Sequence, residues 1–396
     1  MPTPAGKRLV ILAGVAAYVA VALGSGLDRL AVQYPALVRY VPHPLAAAAL
    51  RARAAEILHG RNGREAIAAA RAAVMADPAD HRSAALLGAA YLAAGMQVPA
   101  DRAFRTAARF GWRDPLTQLY HMEQALAVGA TELAALRLDA VLRQNPHLPL
   151  RDMVLAKFEA TDHGRTALAH RLALRPAWAN QFMGHGGPLP AAVLRGRADV
   201  LRVVPGQVFG CEAAAPLINQ QVRADTVRPA RDLWDRYCQA GSASIADPEF
   251  RSLARRQRTA FDWNLASGGD FSAAPAPSPQ TGLLARVSGA SSRMIAWQML
   301  TLQPGQYRLR WTALDPAHTP AGAVSLSLSC RLGDRIPLIA RSEERPGVFT
   351  ADLELDGTCA GQYLTIWLAP TAQEVRIGGM AIQSTTKSDD IAKALK

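Results

Sequence analysis

Few residues of this 396-residue chain have the types and spacing to do chemistry. Its cysteines, Cys211, Cys238, Cys330 and Cys359, are even in number, and none forms a CxxC, so zinc or thioredoxin-like chemistry has little support. Two local disulfides, Cys211 with Cys238 and Cys330 with Cys359, are the simplest pairing, because each then staples one domain; four buried free thiols are the alternative. Trp297, Trp367 and Tyr363 fall on the unexpected face of short alternating runs, where an aromatic plate can stack on a sugar ring. The competing reading covers that face with the helical part of the chain or with a loop. Walker A, GxGxxG, HExxH and GxSxG motifs are absent, and the nine histidines are scattered without metal spacing. No metal, no cofactor and no enzymatic activity are expected. Glycosidase carboxylates can lie far apart in sequence, so a glycan hydrolase is kept as a remote alternative.

The first hydrophobic run decides the compartment. Lys7 and Arg8 precede Leu9 to Leu27, 19 residues without a charge, close to the ~20 that cross ~30 Å of hydrocarbon. The basic pair before the run places the N-terminus inside and the body outside. Ala22-Leu23-Gly24 offers a cleavage site, so residues 1–28 read as a transmembrane anchor or a signal peptide, with a buried core helix as a third option. Both export readings put the body in the periplasm, and the anchor makes this a single-pass protein of a bacterial inner membrane.

The formal net charge is +12, and only five of the 44 basic residues are lysine. This arginine skew suits a GC-rich genome, and export with no aromatic-basic module argues against nucleic acid. Residues 246–396 hold 16 basic and 14 acidic groups, so the excess of basic charge lies in the first part. That part could steer an acidic partner or an anionic glycan, or simply be solvated.

Residues 43 to about 240 are rich in alanine, leucine and arginine and read as successive helices. From His81, Leu87-Gly88, Tyr91, Gly95, Ala100, Phe104 and Ala107 follow in one frame. Steps of 34 residues place Ala66, Ala70, Ala73 and Pro78 before them, and Gly129, Ala134 and Pro146 after them. Small residues let paired helices approach, aromatics fill the gap beside them, and proline stops the second helix. The pattern resembles the tetratricopeptide repeat. That resemblance implies an α-solenoid over 43–182, with repeats 47–80, 81–114 and 115–148 and a degenerate one at 149–182, whose surface binds other proteins. Helices near 189–202 and 211–239 are expected to close it within 183–245.

Near residue 245 the composition turns to Gly, Pro, Ser and Thr with short alternating runs. Strands are expected at 259–265, 282–288, 296–302, 306–311, 323–330, 347–355, 362–368 and 375–383, making an antiparallel β-sandwich. Tyr307, Leu309 and Trp311 should face the core, as should Gln298 with Leu300 and Leu364 with Ile366. Phe261-Asp262-Trp263 should pack against the helical half. The opening Ala246-Asp247-Pro248-Glu249-Phe250, the run Gln298 to Leu309 through Pro304-Gly305, and the closing Val375 to Ile382 resemble jelly-roll carbohydrate-binding modules over 246–384. Pro248 stands where that family has glycine, and Gly378-Gly379 where it often has acids, so the resemblance is one of fold rather than of ligand. Residues 385–396 read as a flexible tail.

The fold class is thus multidomain, α then β. The architecture is similar to bitopic repeat proteins of exopolysaccharide machinery. It implies a non-enzymatic scaffold whose solenoid binds protein partners of polysaccharide synthesis or export, with the sandwich contacting glycan or partner. A stand-alone glycan receptor is the alternative.

Overall fold

A computed structural model describes residues 4–42, 45–60, 63–185, 187–205, 208–238, 244–251, 258–277, 279–320, 322–334, 337–343 and 345–385. The expected tail from 386 onward, Glu344 and most of the basic run Arg255 to Arg258 lie outside the described residues. The chain divides into two compact units, 1–151 and 152–396. The helices expected at 149–182 therefore fall almost wholly in the second unit.

The first unit opens with α1 (Pro4–Gln33), whose stretch Val10–Gln33 is long and apolar enough to cross a membrane. A 3-10 helix (Pro35–Tyr40) then leads to three helical pairs. These are α2 (Ala47–His59) with α3 (Gly63–Ala76), α4 (His81–Ala93) with α5 (Gln97–Ala108), and α6 (Pro115–Ala127) with α7 (Thr131–Gln144). First helices start at residues 47, 81 and 115 and second helices at 63, 97 and 131, a constant step of 34. The sequence frame and the helical repeat therefore coincide. Within the second pair, a Cβ on Gly88 would lie 2.8 Å from the Phe104 ring, so only glycine fits there. Phe104 in turn stacks on Tyr120 of the third pair, with centroids 4.2 Å apart.

Each first helix begins with a carboxylate. Asp80 accepts from Arg82 N at 3.2 Å, and Asp114 from Thr117 N at 2.6 Å, so each satisfies an amide that the helix itself leaves unpaired. Burial alone would raise the Asp80 carboxyl. Hydrogen bonds from Ser83 and Arg51, with the Arg51 charge, outweigh that and hold it below the ordinary value. The equivalent position before α2 is Ala46, which has no carboxylate. Asp28 supplies it from α1, accepting from Ala48 N at 3.1 Å and Ala49 N at 2.8 Å. Around this bond, Ala31, Val41, Ala46 and Ala49 form a buried cluster against Leu27 and Leu45. The end of α1 is thereby built into the first repeat. One further step of 34 puts Leu148 where the carboxylate should be, and the first unit ends at Arg151.

The second unit begins within α8 (Arg151–Glu159) and continues through α9 (Asp162–Ala173), the short α10 (Ala179–Phe182) and α11 (Ala191–Val203). The single helix expected at 211–239 is two, α12 (Cys211–Arg223) and α13 (Val227–Tyr237). Asp225, at φ 57°, reverses the chain between them, and Thr226 N closes the turn on Gln221 O at 2.9 Å. The Cys211–Cys238 disulfide ties the two open ends of this hairpin.

Beneath the hairpin, Arg197 is fully buried and donates to Phe182 O at 2.8 Å while pairing with Asp152. Glu159 lies 3.8 Å from it, with no room for a side chain at Gly196. Burial pushes the Glu159 carboxyl up to about 7; Arg197 opposes this, and Asp152 and Asp199 add to it.

The sheets are antiparallel throughout. One has the order β1 (Asn264–Leu265), β4 (Arg293–Leu300), β9 (Gln362–Leu368), β6 (Val324–Ser329). The other runs β2 (Phe271–Pro275), β3 (Leu283–Val287), β10 (Val375–Ser384), β5 (Gly305–Ala313), β8 (Val348–Leu355), β7 (Arg341–Ser342). Trp311, Leu309, Leu300, Leu364 and Ile366 share one buried core with Phe250 and Trp263, as their alternation requires. Gln298 is buried too, and its amide clamps the Ala246 backbone in both directions, at 3.0 and 3.2 Å. The strand expected at 259–265 shrinks to two residues. Asp262 accepts from Thr259 N and Oγ1 at 2.9 and 2.8 Å, and that local turn replaces strand pairing. Phe261 packs on Trp234 of α13, centroids 5.9 Å apart, whereas Trp263 turns inward onto Phe250.

Two predictions follow from these contacts. Asp28→Ala removes the borrowed cap and should cost about 1 kcal/mol, read as a lower urea midpoint for the first unit's helical signal, comparable to Asp114→Ala. Glu159 titrates near 4.5 when unfolded and about 7 when folded, so the folded state holds the extra proton between those values. Stability at this group therefore falls as pH rises from about 4.5 to 7 and is level above. Glu159→Gln should flatten that slope, by on the order of 2–3 kcal/mol between pH 5 and 8, in denaturant titrations at the two pH values.

Candidate functional site

The repeat period brings equivalent residues of successive first helices to one face. Ala48, Arg51, Ala52 and Ala55 of α2, Arg82 and Leu86 of α4, and Leu116 of α6 line a groove of about 530 Å3. Arg113 and Asn145 close its sides, and Val32 of α1 closes one end. Its floor is alanine and leucine, and its walls carry three arginines. Arg51 is paired with Asp80, while Arg82 and Arg113 are exposed. Asp114 is buried and committed to capping α6, so the groove presents net positive charge over an apolar floor. Such a surface suits a chain segment with acidic and apolar side chains. Sequence reading captured only the basic balance of the helical part. The three arginines occupy three different positions of the 34-residue frame, none of them specified by the packing signature, so the period does not announce the site.

The three aromatics singled out from sequence stand on the smaller sheet. Trp297 of β4 is registered with Thr365 of β9, and Met299 with Tyr363. The Trp297 and Tyr363 rings meet edge to face, centroids 5.7 Å apart, and both are half-buried. Trp367, also half-buried, donates its indole N–H to Thr365 Oγ1 at 2.9 Å and Ser327 Oγ at 3.3 Å. Both hydroxyls are fully buried, so the face shows a half-covered aromatic surface. Burial raises the Tyr363 hydroxyl above its ordinary range, which keeps it a neutral phenol. Met299, two residues along β4 from Trp297, is covered: its backbone N–H donates to Ala260 O at 2.7 Å, and its side chain lies against Gly361. The loop at 259–261, itself seated on the α12–α13 hairpin, does the covering. Asn219 of α12 holds it by donating to Arg258 O at 2.9 Å and accepting from Ala260 N at 3.1 Å.

The second cysteine pair, Cys330–Cys359, joins the end of β6 to the loop before β9. A cleft of about 390 Å3 opens beside Cys359, between Arg228, Arg231 and Asp232 of α13 and the turn at Gln303-Pro304. Arg231 is drawn over the Trp234 and Phe261 rings at 4.5 and 5.6 Å, so it serves the hairpin packing.

The two tryptophans should separate on mutation. Trp367→Ala loses packing and an anchored indole and should cost about 2 kcal/mol, while Trp297→Ala should cost about 1, in denaturant melts followed by circular dichroism. No family model matches the chain, and no curated protein matches it. Among solved structures it is similar to one titled a functional characterization of Pseudomonas aeruginosa pilF. The identity is 19% over 50% of this chain and 78% of that one, with a TM-score of 0.27.

Proposed function

We propose that this chain is a non-enzymatic scaffold of the bacterial envelope. In this reading α1 spans the inner membrane once with the N-terminus inside, and the body lies in the periplasm, where two disulfides are stable. The helical repeats, of the tetratricopeptide type, hold a protein partner in the groove. The sheet region, a jelly-roll sandwich in this reading, contacts glycan or a further partner, and the assembly served is one of polysaccharide synthesis or export. The observation that carries the reading is the groove: an apolar floor repeated by the 34-residue period, walled by Arg51, Arg82 and Arg113, and ending at Val32 of the apolar helix.

A second reading, a glycan receptor acting through the smaller sheet, is favoured by the shared placement of Trp297, Tyr363 and Trp367.

One experiment separates them. The full chain is purified from detergent-solubilised envelope, alongside Arg82→Glu with Arg113→Glu, and alongside Trp297→Ala. The scaffold reading expects a glycosyltransferase or export channel at stoichiometric yield, reduced about tenfold by the arginine reversals and unchanged by Trp297→Ala. Polysaccharide recovered without protein, and lost with Trp297→Ala, would replace it with the receptor reading.

A further inference from the structure

The larger sheet turns a second charged surface outward, separate from the aromatic face. On β5, Leu309 and Trp311 enter the core, so Arg308 and Arg310 stand on the opposite face. Register extends both positions into rows. Gln383, Arg308 and Asp352 lie side by side across β10, β5 and β8. Ala381, Arg310, Thr350 and Arg341 form the next row, reaching β7. The small side chains of Ala381 and Thr350 on either side of Arg310 leave a trough. A bulge in β10 between Gly378 and Ala381, with Gly379 at φ 62°, shifts the register against β5 beside it. Ser342, Glu343 and Arg345 raise one wall, and the groove holds about 760 Å3.

Among the described residues its charges are not balanced from within. Arg308 and Arg341 share Asp352, at 2.7 and 3.7 Å. The Arg310 side chain makes no hydrogen bond among the described residues, and its nearest carboxylate there, Glu343, is 4.0 Å away. Among the described residues, four arginines thus face two acids. Among the described residues the remaining lining is hydroxyl and amide, from Ser342, Thr350 and Gln383, with Ala381 the one apolar contributor. An acidic peptide would bring apolar side chains that this trough cannot bury, as the groove on the repeats can. A hydroxyl-rich anionic polymer matches both features: a carboxylate for the Arg310 guanidinium, and hydroxyls for Thr350, Ser342 and Gln383.

We infer that the outer face of β10, β5 and β8 binds an acidic polysaccharide, with Arg310 pairing a uronate carboxylate. This deepens the part of the proposed function that gives the sheet region a glycan contact.

The test uses the full chain in detergent, with polygalacturonate as probe, neutral dextran as control, and affinity electrophoresis as readout. Wild type should be retarded by polygalacturonate and not by dextran, more strongly at low salt than at physiological salt. Arg310→Gln should weaken binding about tenfold or more, the loss expected for one charge-assisted pair. Thr350→Glu, which puts an acid in the trough, should abolish it. Arg286→Gln removes an equal exposed charge from β3 of the same sheet and should change binding less than about twofold. All three positions are partly or fully exposed, and melts should confirm unchanged folding. The inference is overturned by equal losses for Arg310→Gln and Arg286→Gln, or by no binding of polygalacturonate. It is also overturned if vesicles with anionic lipid bind in an Arg310-dependent way while the polymer does not. None of these outcomes touches the scaffold reading, which is read through Arg82 and Arg113.

Discussion

A carboxylate at the start of each first helix is the interaction on which the repeat unit depends. A helix N-terminus leaves amides unpaired and carries partial positive charge, so an aspartate there satisfies both at once. Asp80 and Asp114 do this from the residue preceding their helices. The first repeat has Ala46 at that place and takes its carboxylate from Asp28 on α1. That exchange converts an otherwise separate apolar helix into the terminal wall of the repeat stack. Its consequence reaches the groove, because Val32, one helical turn beyond Asp28, lines it. A membrane span through α1 would hold the groove beside the membrane surface without any flexible linker.

The second unit solves a different problem, the attachment of a sheet pair to a helical hairpin. The Cys211–Cys238 bond closes the hairpin, and Asn219, Trp234 and Arg231 hold the loop from Arg258 to Phe261. That loop covers Met299 and leaves Trp297 and Tyr363 half-open. Gln298 performs the matching task inside, fixing the entry of the chain at Ala246 over the core. The two sheet faces therefore differ in kind. The smaller sheet shows half-buried rings beside buried hydroxyls, and the larger one shows arginines in the open.

What could be read in advance followed periodicity. The 34-residue frame could be read because small residues and aromatics at fixed positions are demanded by close packing, as Gly88 against Phe104 shows. Alternation similarly gave β9 its bounds and assigned Leu309, Trp311 and Ile366 to the core. The two edge strands of the larger sheet escaped it. β2, reading Phe-Ser-Ala-Ala-Pro, turns only Phe271 and Ala273 toward the core, and the two-residue β7 is exposed. The break between α12 and α13 rests on Asp225 in a left-handed conformation, which Ala-Asp-Thr does not announce as glycine would. Neither arginine site was legible. Arg51, Arg82 and Arg113 converge only through stacking, and Arg308 with Arg310 gain meaning only from the Asp352, Thr350 and Gln383 placed beside them by register.

The central claim is that the end of the apolar helix and the repeats form one cooperative body. Native-state hydrogen exchange on the full chain, read residue by residue, tests it most directly. The account predicts that the amides of Ala48 and Ala49 and those of residues 27–33 exchange at the same opening free energy as the buried turns of α2 and α4. Rapid exchange of residues 27–33 while α4 and α5 stay protected would contradict it, because the helix would then be only tethered to the repeats.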